Sequence, residues 1–284
     1  MTSCCNLWAA DAKAAPVPAW SVQWQPSQLV NGSPVLFQVK PALRLKTLSG
    51  KWLDHDIVFA LDAKTKSWNA LAGISLQVKP GVYTLSMNGT TTSGKDISFQ
   101  RRVTVRAGKY PTSAITVESK YTAPSQEQLD IIARDKKIKQ DTFSQVSSER
   151  EWSGAFKQPL EAPTSGIFGS QRTFNGQVRS THEGLDFAAV AGSPVAALNA
   201  GTVLLARPLY FEGSCVVLDH GQGLLTLYLH LSEIKVHEGD KVTQGQILGL
   251  VGGTGRATGP HLHVAVRWQG VYVDPATLLK MKLP

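Results

Sequence analysis

The chain has 284 residues, 29 lysines and arginines against 21 acids, 25 glycines, 15 prolines and three cysteines. That length supports one large or two ordinary domains, and 42% hydrophobic with 18% charged residues describes a globular rather than a disordered chain. Three cysteines exclude a disulfide framework and a CxxC zinc ribbon, and no run of about 18 apolar residues is present to form a membrane-spanning helix.

Charge and glycine are unevenly spread. Residues 1–152 hold 19 lysines and arginines against 12 acids, whereas 153–284 hold 10 against 9 and 18 of the glycines. This shift argues for two domains. A basic first half suits nucleic acid, a membrane surface, an anionic cell wall or plain solvation by lysine. No basic cluster is interleaved with aromatics, so no nucleic acid is expected as a partner.

Residues 1–19 read as a leader or truncated signal. Met1-Thr2-Ser3-Cys4 is similar to the end of a lipoprotein signal but lacks its charged and apolar regions. A membrane lipid anchor at Cys4 or Cys5 is expected only where a missing upstream segment supplies them. The alternative is two incidental cysteines in a cytosolic chain.

Residues 20–107 read as a small Ig-like β-sandwich. Val35–Val39 and Ile57–Leu61 are strand-like runs. Gly81–Met87 is a third, expected to stop at the turn pair Asn88-Gly89. Ile97, Phe99, Val103 and Val105 alternate with polar residues, as in a half-buried strand. Residues 108–152 read as a linker with a helix. Ser125-Gln126-Glu127-Gln128 has a capping-box pattern, opening a helix to about Phe143. Its lysines 136, 137 and 139 are expected on a solvated face.

Residues 153–284 are rich in glycine and strand patterns. In Leu224–Leu231, one face carries the leucines 225, 227, 229 and 231, and the other Leu224, Thr226, Tyr228 and His230. In His261–Trp268, Leu262, Val264, Val266 and Trp268 oppose His261, His263, Ala265 and Arg267. The apolar faces are expected to fill a core, leaving the histidines together on an opposite, partly open surface.

Three histidine patterns stand out. His182 and Asp186 are four apart, His261 and His263 share one side of a strand, and His230 lies on a strand otherwise lined by leucine. Imidazole nitrogens and a carboxylate suit a divalent ion such as zinc. Each spacing alone is common. The HEGLD stretch differs from an HExxH helix, because it ends in Asp and Gly184 disfavours a helix, so Glu183 is discounted as a general base.

Taken together, residues 166–281 resemble the lysostaphin-type, or LytM-like, zinc endopeptidases of peptidoglycan. The matching stretches are Gly166-Ile-Phe-Gly169, His182–Phe187, Gly192-Ser-Pro-Val-Ala-Ala, Gly201-Thr-Val, Val217–Gly223, Thr226–Ser232, Gly239–Ile247 and Gly253–Val264. The resemblance implies a mostly β chain whose C-terminal domain is an antiparallel β-sheet metallopeptidase. It implies His182, Asp186 and His263 as zinc ligands, and His230 and His261 as the non-ligand catalytic histidines. It also implies peptidoglycan peptide stems as substrate and a cell-envelope location, periplasmic or extracellular. Some members place a transition-state tyrosine upstream of the position of His182; this chain offers Phe174, Asn175 and Arg179. His220 reads as structural, and His55 and His237 as surface or turn residues. Gly252-Gly253-Thr254-Gly255 is expected to form a groove wall, or simply a tight turn. The N-terminal sandwich is expected to restrain or position that groove.

The main alternative is a non-catalytic cell-wall binding or regulatory protein of the same fold. A lipoyl- or biotin-carrier module would need a lysine at a hairpin tip, and Lys235 and Lys241 lie in no such context. Cys215, in Gly213-Ser-Cys-Val-Val, reads as a buried strand residue rather than a nucleophile.

Overall fold

The structure is a computed structural model that describes residues 20–176 and 178–284. The leader and its cysteines lie outside the described residues. The chain is mostly β. One four-stranded sheet is built from Ser21–Gln25, Pro34–Lys40, Ser67–Gly73 and Ala60–Asp62. A five-stranded sheet holds Leu29–Val30, Asp96–Arg106, Gly81–Thr91, Leu45–Trp52 and His55–Val58. Phe37, Trp52, Ile57, Leu85 and Val103, each 2% exposed or less, bury their inner faces in one apolar cluster.

Two strand expectations are corrected here. Asn88-Gly89 is not a turn: the strand runs through it to Thr91, and the chain reverses around Gly94, at φ +86°. Gly89 is there for space, since a Cβ would lie 2.9 Å from Leu45 and 3.0 Å from the Thr47 carbonyl. Ile57–Leu61 is two strands rather than one. His55–Val58 pairs with Leu45–Trp52, and Ala60–Asp62 pairs with Ser67–Gly73 in the other sheet. Phe59, 4% exposed, is the buried pivot where the chain changes sheets.

The helix Gln126–Phe143 opens on a complete capping box, Ser125 accepting from the Gln128 N–H and Gln128 from the Ser125 N–H. Such a cap stabilises by about 1 kcal/mol. Its lysine face divides. Lys137 pairs with Asp141 in the open at 2.9 Å, but Lys139 is half-buried against Glu212, so the solvated reading fails for that residue. Ile138 and Phe143 pack on a cluster of Leu205, Cys215, Val217, Leu225 and Leu227. Upstream of the helix, Thr112–Ile115 pairs in parallel with Gln171–Phe174.

The largest sheet has ten strands. Its centre is antiparallel and runs Leu185–Phe187, Leu262–Trp268, Leu224–Ile234, Gly213–Asp219 and Gly201–Leu209. One side packs into the main core through Phe187, Tyr228, Leu262, Val264 and Val266. Gly73 of the N-terminal sheets lies against Trp268 and Val273, and the His55 ring sits 5.0 Å from that of Trp268.

His220 is fully buried, with Nδ1 on the Ala200 carbonyl at 2.6 Å and Nε2 on the Thr226 hydroxyl at 2.8 Å. Burial holds its pKa down at about 4. The unfolded chain, at about 6.5, therefore binds a proton that the folded chain refuses. Stability from this group is complete above pH 6.5 and is lost as pH falls towards 4, a drop of about 3 kcal/mol. Urea unfolding at pH 7.5 and 4.5 should show His220→Gln losing less stability on acidification than the parent chain. Equal losses would remove His220 as the cause.

Candidate metal centre

The centre of the site is set by strand register. Asp186 lies directly opposite His263 on the neighbouring antiparallel strand, and Leu229 opposes His263 on the other side. His182 lies in an irregular stretch between the strands Val178–Thr181 and Leu185–Phe187, not on a helix. Its Nε2 is 2.9 Å from Asp186 Oδ1 and 3.0 Å from His263 Nδ1, and Nδ1 of His263 is 2.8 Å from the same carboxylate oxygen. These three atoms form a candidate metal-holding group.

The donor chemistry fits a cation. His182 donates Nδ1–H to the Ile167 carbonyl at 2.8 Å, so in the neutral ring Nε2 carries a lone pair. Two imidazole nitrogens and a carboxylate oxygen thus converge on one point. Burial opposes the ionisation of Asp186, but when the two rings carry the extra proton, hydrogen bonds and charge from His182 and His263 hold it ionised well below the usual carboxylate range. When the rings are neutral with lone pairs turned inward, a cation takes the place of those protons. Burial lowers the pKa of His263, favouring its neutral, ligating form. The second Asp186 oxygen accepts from Arg172 Nη2 at 2.6 Å, which fixes the carboxylate's orientation. Gly184 is required where it stands. A Cβ there would strike the His263 ring and the Val264 carbonyl.

His230 and His261 face one another beside this group, ring centroids 4.8 Å apart, and His230 is 6.0 Å from His263. His230 donates Nδ1–H to the Thr254 carbonyl at 2.8 Å and His261 to the Gly259 carbonyl at 2.9 Å. In both neutral rings Nε2 is therefore the free acceptor. Burial, reinforced by the neighbouring imidazoles, lowers the His230 pKa to about 3.

The alternation expected along Leu224–Leu231 is corrected at His230. An extra residue bulges this strand between Tyr228 and Leu231, and His230 itself has φ +65°. It joins Leu227 and Leu229 in lining the same cleft as His261 and His263. Thr226 and Tyr228 are buried on the other side, where the Tyr228 hydroxyl accepts from the Leu198 N–H at 2.8 Å. The histidines thus share the face of leucines 227 and 229 rather than opposing it. The bulge is held from a distance, by the His230 N–H on the Glu212 carbonyl at 2.9 Å and by Thr254.

The cleft has a volume of about 550 Å³, and all five sequence-selected side chains line it. Ile115 and Val117, from upstream of the helix, contribute to its wall. The glycine loop does not line it as expected. Arg256–Pro260 do, while the preceding loop supports His230. A Cβ on Gly252 would press on the His230 and Ser232 backbone, and Gly255 meets Gly213. Phe174 lines the cleft, and Tyr272 lines it from another strand. Arg172 had no signal in the sequence, being one of four residues in a short strand. Arg256 stood inside a matching stretch but carried no role. Cys215 is 2% exposed, and burial pushes its thiol pKa up, which removes it as a nucleophile. His237 is exposed beside Asp240.

Part of the chain is similar to known proteins. Residues 180–275 match the family model described as Peptidase family M23. Peptidoglycan DD-endopeptidase ShyA of Vibrio cholerae serotype O1 is 44% identical over 103 residues, which cover 36% of this chain and 23% of ShyA. DD-carboxypeptidase/endopeptidase Mpg of Neisseria meningitidis serogroup B is 41% identical over 97 residues, 34% of this chain and 22% of Mpg. The chain thus spans about a quarter of the length of these relatives. A crystal structure assigned to peptidase M23 from Pseudomonas aeruginosa superposes with a TM-score of 0.66 at 28% identity, covering 88% of this chain and 94% of that one.

Proposed function

We propose that the chain is a zinc-dependent endopeptidase hydrolysing peptide cross-links of bacterial peptidoglycan, a reading that the match of residues 180–275 to peptidase family M23 supports. The observation that carries this reading is the convergence of His182 Nε2, His263 Nδ1 and Asp186 Oδ1 within one cleft that also holds two further imidazoles. On this reading the place of action is the cell envelope, periplasmic or extracellular, and the partner is the peptide stem.

His182, Asp186 and His263 would hold the ion. When bound, zinc supplies Lewis acidity towards a carbonyl oxygen and lowers the pKa of water towards about 7. The remaining work falls to the chain. His230 and His261, anchored through Nδ1–H, present Nε2 to accept a proton from the attacking water. A ring that has taken the proton becomes an N–H donor for the oxygen that gains charge, or for the leaving amine nitrogen. Arg172 keeps the Asp186 carboxylate oriented throughout. The apolar wall of Leu227, Leu229 and Ala265 limits water around the reacting groups.

Digestion of purified sacculi tests the reading, with fragments identified by mass spectrometry. Turbidity should fall, cross-linked fragments should become single stems, and a chelator should stop both. Zero activity with or without chelator would instead support the non-catalytic wall-binding alternative.

A further inference from the structure

The charged groups of the cleft are mostly matched in pairs. Arg172 is held by Asp186 and Lys139 by Glu212. Glu183 stands in the field of Lys139 and Arg267. Arg256 differs. Among the described residues its guanidinium has no ion-pair or hydrogen-bond partner; its one backbone tie is N–H to the Phe211 carbonyl at 2.9 Å. Glu212, the acid in its field, gives one oxygen to Lys139, and the other is buried without a partner.

The guanidinium is nonetheless held in place. Its carbon lies 4.5 Å from the Phe174 ring centre and 4.8 Å from that of Phe211. Phe211 is braced in turn by Tyr210 at 5.0 Å and Tyr121 at 6.3 Å. The residue after Phe211, Glu212, accepts the His230 N–H through its carbonyl, so the cage and the catalytic bulge share one segment. A cation fixed between two aromatic faces keeps the N–H groups on its edge free. It has already lost much of the rotamer freedom that binding a ligand would otherwise remove. What this arrangement lacks is an anion of planar, two-oxygen shape.

We propose that Arg256 is a specificity-determining residue that binds a carboxylate on a residue flanking the scissile amide. The proposal rests on the endopeptidase reading above and narrows its substrate. A cross-link whose amide nitrogen sits on a carbon that also bears a free carboxylate offers such an anion beside the scissile bond. A bridge of uncharged residues offers none there. Arg256 therefore selects acidic direct cross-links over neutral bridges.

The test uses synthetic cross-linked peptide dimers carrying either the free carboxylate or a carboxamide at that carbon. The wild-type chain should favour the acid by about tenfold or more in kcat/KM, with the difference in KM. Arg256→Met, which keeps an unbranched apolar stem between the rings, should bring the acid-to-amide ratio close to one, and Arg256→Lys should retain part of the preference. Melting curves of all three chains check folding. The same peptides are then titrated onto full-length His261→Ala, with and without Arg256→Met, to read Kd. Equal handling of acid and amide by the wild type, or a preference that survives Arg256→Met, overturns the proposal. A chain that discriminates in binding yet cleaves neither peptide keeps the carboxylate site and removes the hydrolytic reading.

Discussion

His263→Ala is expected to lower hydrolysis of a cross-linked peptide by about 10³-fold or more and to release bound zinc from the chain. The ring supplies one of three mutually close donors, from a strand flanked by Asp186 on one side and Leu229 on the other. Without it, His182 and Asp186 offer two donors, fewer than the three protein ligands of a catalytic zinc site. The loss is one of chemistry more than of folding. The His263 side chain is mostly buried but edges the open cleft, and Asp186 keeps its bond to Arg172 at 2.6 Å. Zinc content measured beside activity and melting temperature separates the two effects. A His263→Ala chain that still holds one equivalent of zinc and works at more than a tenth of the parent rate would remove His263 from the proposed ligand set.

His230→Ala and His261→Ala should each lower kcat by about 10²–10⁴-fold while leaving zinc content unchanged. The rings sit 4.8 Å apart, and neither belongs to the converging donor group. Each is tied through Nδ1 to a carbonyl of the 254–259 segment, which aims the opposite nitrogen without engaging it. If both serve one proton path, the double variant should lose little more than the worse single one, since residues acting as a unit do not add. His230→Ala also removes a bond to Thr254 from a buried bulge, so its unfolding must be followed alongside kcat. Zinc lost from either variant would turn that histidine into a ligand. Full activity in either would take it out of the mechanism.

The legible parts of this protein share a cause: they repeat or cap locally. Alternation in Asp96–Arg106 and Leu262–Trp268 reports strands because successive side chains must take opposite faces. The capping box at Ser125 reports a helix start because it satisfies N–H groups that every helix leaves free. Asn88-Gly89 has the signature of a turn yet lies within a strand, because glycine serves two needs, a turn and a close approach, and the sequence does not say which. Phe59 reads as part of a continuous strand because a buried pivot and a strand residue look alike in one dimension.

By itself, the sequence singled out five side chains that the structure gathers in one cleft, and determined that His261 and His263 keep to one side of their strand. Period-two geometry enforces the latter whatever the rest of the chain does. Only the tertiary structure decided on which face His230 would lie, because a bulge at φ +65° is unfavourable locally and is held by carbonyls of Glu212 and Thr254. It likewise decided that Asp186 would oppose His263, that Arg172 would take the far carboxylate oxygen, and that Phe174 and Phe211 would enclose Arg256. These are meetings of segments distant in the chain, and no local propensity encodes them.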